Sequence, residues 1–286
     1  MKKLLLLSVI AIISFGFAGE KKAYVIYDSN GKSSSYADLL KAAEGSDIVM
    51  FGEEHDNPIC RWLELELAKD LHDTLKNKLV LGAEMFEADQ QVALNEYLRG
   101  AITEKTFTAA IVLWGNYGTD YKPLVEFAKE NKLPFVADNI PRRYANMVYN
   151  RGLASLDSID KDAKKWIAPL PIKYDSTVQA YKEIFENAGG HGGQNLPKSQ
   201  AVKDATMAYF IMQNWKPGQT FLHYNGAYHS NNHSGIVWYL KQKNPKLKIL
   251  VISSVTQDSI DALGDDNKGL GDFIITIPES MTRTMQ

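Results

Sequence analysis

The chain has 286 residues, 45% of them hydrophobic, with 32 basic against 34 acidic side chains and a formal net charge of -2. That is enough apolar material for one large domain, or one domain with a small insertion, and the balanced charge argues against nucleic acid as a partner. Cys60 is the only cysteine, which rules out an internal disulfide and any multi-cysteine zinc or iron-sulfur site.

In chain order, Lys2 and Lys3 precede an apolar stretch from Leu4 to Phe17 and the small residues Ala18 and Gly19. This layout predicts a secretory signal peptide over residues 1–18, since the stretch is shorter than the roughly 20 residues of a membrane-spanning helix. The segment has no cysteine for a lipoprotein anchor, so the mature protein is expected to be soluble. A tether to about Gly45 follows. Apolar runs at 47–51, 79–83, 135–137 and 220–222 are short and uniformly apolar, which suits buried parallel strands covered on both faces. Further strands are expected at 247–253 and 273–277. Helices are expected over 58–76, opened by Asn57 and Pro58, and over 89–98, 121–130, 141–151, 198–214 and 234–243. The sequence therefore predicts an α/β fold with a mainly parallel central sheet flanked by helices. Between 157 and 196 the strand pattern lapses, and a small inserted helical subdomain is expected there, with the α/β domain formed by 19–156 and 197–286.

Each of the four short runs is followed by polar residues: Gly52-Glu53-Glu54-His55, Glu84, Asp138-Asn139, and His223 through His229. In an open α/β sheet the ligand crevice lies beyond the carboxyl ends of the strands, where all of these fall. In extended chain Glu53 and His55 project together while Glu54 turns aside. With Glu84, His223 and His229 they offer donors for a divalent metal, which would supply a nucleophilic hydroxide with a spare glutamate as base. The other reading is structural, with these groups hydrogen-bonding one another. In the insertion, Tyr174, Tyr181, Phe185 and His191 stand among Lys173, Lys182 and Lys198, a surface that suits a flat apolar ligand with acidic arms, although aromatic stripes at helical spacing are more often core. The chain lacks a phosphate-binding glycine-rich loop, a nucleophile elbow and a dinucleotide fingerprint.

Five segments, Gly52-Glu53-Glu54-His55, Gly82-Ala83-Glu84-Met85-Phe86, Asp138-Asn139-Ile140-Pro141-Arg142-Arg143, residues 200–208 and Gly226-Ala227-Tyr228-His229, resemble in content and order the ChaN-like haem-binding uptake proteins. Those are related in turn to TIKI-type metalloproteases and erythromycin esterases. The resemblance implies an iron-uptake protein of the periplasm or outer-membrane surface that binds ferric b-type haem. It also implies a cofacial haem pair in a homodimer, tyrosine as the iron ligand, and an outer-membrane haem receptor or periplasmic acceptor as partner. Tyr181 matches the pattern best and Tyr174 next, with Tyr144 and Tyr149 open. His191 comes first for the propionates, with Lys173, Lys182 and Lys198 interchangeable, or a lysine or histidine from the facing copy. The alternative is a metal-dependent hydrolase carried by Glu53, Glu54, His55, Glu84, His223 and His229.

Overall fold

A computed structural model describes residues 21–187 and 193–284; the expected signal segment and His191 lie outside them. Eight strands form one sheet: β1 (Val25–Asp28), β2 (Ser33–Ser34), β3 (Ile48–Glu53), β4 (Leu79–Glu87), β5 (Phe135–Asn139), β6 (Thr220–Gly226), β7 (Ile249–Gln257) and β8 (Phe273–Pro278). Their order is β2-β1-β8-β7-β3-β6-β4-β5. From β8 to β5 all neighbours are parallel, and β1 and β2 close one edge antiparallel. Nine α-helices are described: α1 (Tyr36–Glu44), α2 (Pro58–Leu75), α3 (Gln91–Leu98), α4 (Glu104–Ala110), α5 (Lys122–Glu130), α6 (Arg142–Arg151), α7 (Gln179–Asn187), α8 (Asn195–Asn214) and α9 (Ile236–Lys243). The α/β class and the mainly parallel sheet agree with the apolar runs. Among the described residues no helix is long and apolar enough to cross a membrane.

The period of two along each strand divides the core into layers. Val49 and Phe51 of β3, with Leu79 and Leu81 of β4, pack against Leu63, Leu67 and Leu71 of α2. Ile48 and Met50, with Val80 and Phe221, pack against Ala201, Ala205 and Ala208 of α8. Helix starts follow local chemistry: the Asn57 side chain accepts from the Ile59 N–H with Pro58 at the first position, and Ser35 and Asp38 form a reciprocal capping box on α1.

One expectation needs revision. The segment before Gly45 is not a tether: it supplies β1, β2 and α1, because Val25–Asp28 finds pairing groups on β8. Of the expected insertion, residues 157–187 contain α7 and irregular turns, and Ala168, Val178, Ala180 and Tyr181 share the core layer of Ile48 and Met50. This segment completes the main core on the α8 side.

Close approach of β4 to β6 makes Gly82 a test of the packing. A Cβ at Gly82 would lie 2.6 Å from the Phe221 ring and 2.9 Å from Asp138 Oδ2. Gly82→Ala is expected to cost about 1–3 kcal/mol, as overpacking does. The urea midpoint should fall with an unchanged slope; an unchanged midpoint would show that the strands part without strain.

Candidate functional site

A cleft of about 1030 Å³ opens above the carboxyl ends of β3, β4, β5 and β6, the position at which open parallel sheets bind ligands. Its floor is built from strand-end residues, and one wall is built from two helices. On α6, Arg142, Ala145, Asn146 and Tyr149 face the cleft. On α8, Leu196, Ser199, Gln200 and Lys203 do the same. Both sets have the i, i+3, i+4, i+7 spacing of one helix face. The Ser199 hydroxyl donates to the Ala145 carbonyl at 2.9 Å, which joins the helices.

Glu53 follows the parity of Val49 and Phe51, so it points toward α2. There one carboxylate oxygen pairs with Arg61, while the other accepts from the Tyr121 hydroxyl at 2.8 Å and meets His55 Nδ1 at 2.6 Å. Burial alone would raise its pKa, but Arg61, then Glu64 and His55, hold it at about 2. Glu64, 3.0 Å from Arg61, is pushed by burial well above the carboxylate range. One cation thus serves one anion and one neutral acid. His55 Nε2 lies across the end of β6, where a Cβ on Gly226 would come within 2.7 Å of it. The Trp114 ring meets the imidazole edge-on at 4.7 Å between centroids. Burial disfavours charge on His55, yet Glu53 and Glu84 raise its pKa.

Glu84 has the opposite parity and points toward α8. One oxygen accepts from the Gly226 N–H at 2.8 Å, and the other lies 3.2 Å from His229 Nε2. His229 Nδ1 in turn meets Asp204 of α8 at 2.5 Å, and the other Asp204 oxygen accepts from the Tyr181 hydroxyl at 2.7 Å. Burial opposes charge on His229, but the two carboxylates outweigh it and raise its pKa to about 10. Desolvation would raise Glu84, and the His229 imidazolium instead lowers it. His223 is enclosed by Asp138 at 3.0 Å and Asn225 at 3.1 Å, beneath the cleft.

The sequence-derived candidates are thus dispersed. Glu53, Glu54, His55, Glu84 and His229 line the cleft, and His223 does not. Glu54 turns away to Arg283 at 2.9 Å and to the Thr256 hydroxyl at 2.6 Å. No group of three His, Cys, Asp or Glu side chains among the described residues is disposed to hold a metal ion. Both ring nitrogens of His223 and of His229 already face polar partners, which leaves His55 as the imidazole with a nitrogen open to the cleft. Tyr181, the first-ranked iron ligand, is 1% exposed and hydrogen-bonded to Asp204, so it presents nothing to a ligand. Tyr174 packs on Tyr181, with ring centroids 5.7 Å apart, and Tyr144 packs under Arg143. Neither lines the cleft, whereas Tyr149, 40% exposed, does. Lys173 bonds Gln242 on another face, Lys182 pairs with Glu186 at the surface, and Lys198 bonds Asn195. Arg142, Lys203, Asp204 and Trp114 went unassigned in the sequence, although the helical stripes through Arg142 and Lys203 could have signalled them.

The ionised groups carry a pH signature. A histidine with an ordinary value of 6.5 raised to about 10 by folding contributes stability that is complete below about pH 6.5 and is lost as pH rises toward 10. Glu53, lowered to about 2 from 4.5, contributes stability present above about pH 4.5 and lost as pH falls toward 2. Urea midpoints are expected to fall from neutral pH toward pH 10, and His229→Gln should flatten that fall. Equal alkaline slopes in the two proteins would refute the assignment.

ChaN of Campylobacter jejuni, in a structure describing cofacial heme binding, shares this fold with a TM-score of 0.68 and 20% identity, over 90% of this chain and 98% of that one. A succinoglycan biosynthesis protein matches at 0.49 and 10% identity, over 84% and 90% of the two chains. A mutant of erythromycin esterase EreC in its open conformation matches at 0.46 and 14%, over 77% and 72%. No curated protein matches the chain. With the model of the haem-binding uptake, Tiki superfamily, ChaN family matching residues 39–240, the chain belongs to that haem-binding family.

Proposed function

We propose that this protein binds ferric haem outside the cytoplasm in iron uptake, with Tyr149 as the iron ligand and two haems stacked face to face in a homodimer. The observation that carries this reading is the placement of Tyr149: of the four tyrosines considered, it alone is exposed and faces the cleft. A phenolate is a hard anionic donor that favours ferric iron. The residues around it fit a porphyrin, since Ile140, Ile184, Leu196 and Trp114 supply apolar lining. The lone cysteine is buried and offers no thioether attachment, which supports a non-covalent, b-type haem.

Exposed apolar side chains support the dimer. Val112 is 79% exposed and lines the cleft, and Phe185, 47% exposed, follows the lining residue Ile184. Stacking a second haem and a second copy over this rim would remove apolar surface from water that one shallow wall leaves exposed. The charged and apolar layout of residues 2–19 supports export, with a periplasmic or outer-membrane acceptor as the onward partner. A metal-dependent hydrolase has less support, because the strand-end carboxylates and imidazoles neutralise one another in pairs.

Tyr149→Phe is expected to abolish the high-spin tyrosinate spectrum of the ferric haem complex and to weaken binding by at least about tenfold. Tyr181→Phe should leave that spectrum intact and lower stability by about 1–2 kcal/mol, through loss of the hydrogen bond to Asp204. Retention of the tyrosinate spectrum in Tyr149→Phe would remove this residue as the ligand. Sedimentation during haem titration should show the mass doubling; a monomer at saturation would rule out the shared pair.

A further inference from the structure

The parallel strands start at the end of the sheet opposite the cleft. First residues pair with first residues there, Ile48 of β3 with Ile249 of β7 and Leu79 of β4 with Thr220 of β6, so the strand starts are level. With β5 beside β4, they span a face roughly 20 Å wide at about 4.8 Å per strand. Five short connections lead into it, at 45–47, 76–78, 131–134, 215–219 and 244–248. Together they carry Lys76, Lys78, Lys132, Lys216, Lys246 and Lys248, all exposed, no arginine, and Asp47 as the one acid. The Asp47 carboxylate already accepts from the Lys248 N–H at 2.9 Å. Beyond the strands the charge reverses. Glu54 and Asp56 follow β3, Asp89 follows β4, and residues 258–266 after β7 hold four aspartates and no lysine or arginine.

Helix C-termini attract cations, and α1, α5 and α9 end at this face with basic last turns. That attraction is confined to the last turn of a helix, whereas Lys246 and Lys248 lie beyond α9. Lys76 and Lys132 stand at φ of 53° and 54°, where the backbone favours glycine. Of the six lysines, only Lys76 has an anionic partner among the described residues, Asp73 at 3.6 Å. The positive charge of this face is therefore left for something outside the chain.

We propose that this face docks on the anionic surface of a lipid bilayer, with the cleft turned away from it. Compact, strongly hydrated ammonium groups on flexible stems suit a fluid layer of headgroup phosphates, which has no fixed geometry to read. A defined phosphate site would use the guanidinium fork instead. Because the strand starts are level, several lysines reach the surface together, and each adds to the attraction. Trp215, next to Lys216, is partly exposed and offers an amphipathic ring to the headgroup layer. The six residues of β3 hold the cleft floor roughly 20 Å from the bilayer, open to water.

The test uses the chain from residue 19 onward, which keeps every described element and lacks the apolar stretch 4–17. Sedimentation is expected to bring it down with vesicles of equal parts phosphatidylglycerol and phosphatidylcholine, and not with phosphatidylcholine alone. Salt at about 0.5 M should release it by screening. Joint replacement of Lys78→Gln, Lys216→Gln, Lys246→Gln and Lys248→Gln should weaken capture at least about a hundredfold. The urea midpoint should match wild type, since all four side chains are exposed. On the wild type, acetylation by a water-soluble reagent, mapped by mass spectrometry, should slow at those lysines when the anionic vesicles are present and stay unchanged at Lys268, beyond β7. Equal capture by both kinds of vesicle, undiminished capture of the variant, or protection of Lys268 in place of the four would overturn the proposal. So would a chain left in solution by both, and retention of a DNA duplex by such a chain would assign the face to nucleic acid.

Discussion

Two ionised carboxylates are buried at the ends of parallel strands, and the rest of the site is arranged to keep them there. Glu53 and Glu84 are 2% and 4% exposed. An isolated charge in such a place is costly enough that the group would ordinarily take up a proton. Here each stays ionised because a cation is fixed against it: Arg61 from α2 for Glu53 and His229 from the turn after β6 for Glu84. The parity of the strands sends the two carboxylates to opposite faces of the sheet, so their partners come from different layers. The floor of the cleft is thereby tied to both helical layers. Displacing either cation would leave a buried charge unmatched.

This arrangement divides the cleft by role. The floor consists of groups that satisfy one another, with Tyr121, Asp204 and Tyr181 completing their hydrogen bonds. Its rigidity follows from that mutual satisfaction, since moving one member leaves another unpaired. The α6–α8 wall is different: the side chains of its exposed residues Asn146 and Tyr149 make no hydrogen bond among the described residues. A site that carries a large planar ligand needs a firm base and an uncommitted face, and these occupy separate elements here.

Much of this was legible in the sequence, because strands and strand ends depend on local pattern. Uniform apolar runs identified β3, β4, β5 and β6, and the period of two placed Glu53 beside His55, as the 2.6 Å contact shows. Tyr181 shows where legibility stops. It sits on an amphipathic helix among polar neighbours, and nothing local reveals that its face turns inward onto Asp204, which lies 23 residues away in sequence. Asp204 escaped notice for the same reason, as an acid within a helix whose partner His229 comes from a distant turn. The β1–β2 edge was missed because Val25–Asp28 is short and becomes a strand only when β8 pairs with it.

The strand order also sets the sequence of events in the protein's own making. β3 lies between β6 and β7, so Glu53 finds its register partner Gly226 only after roughly 170 further residues have been synthesised, and β8 arrives later still. Pairings of such separation form slowly and late. A chain made only as far as α8 therefore lacks both Gly226 at the end of β6 and His229 beside Glu84. A cleft floor drawn from both halves of the chain is thus complete only when β6 has joined β3 and β4.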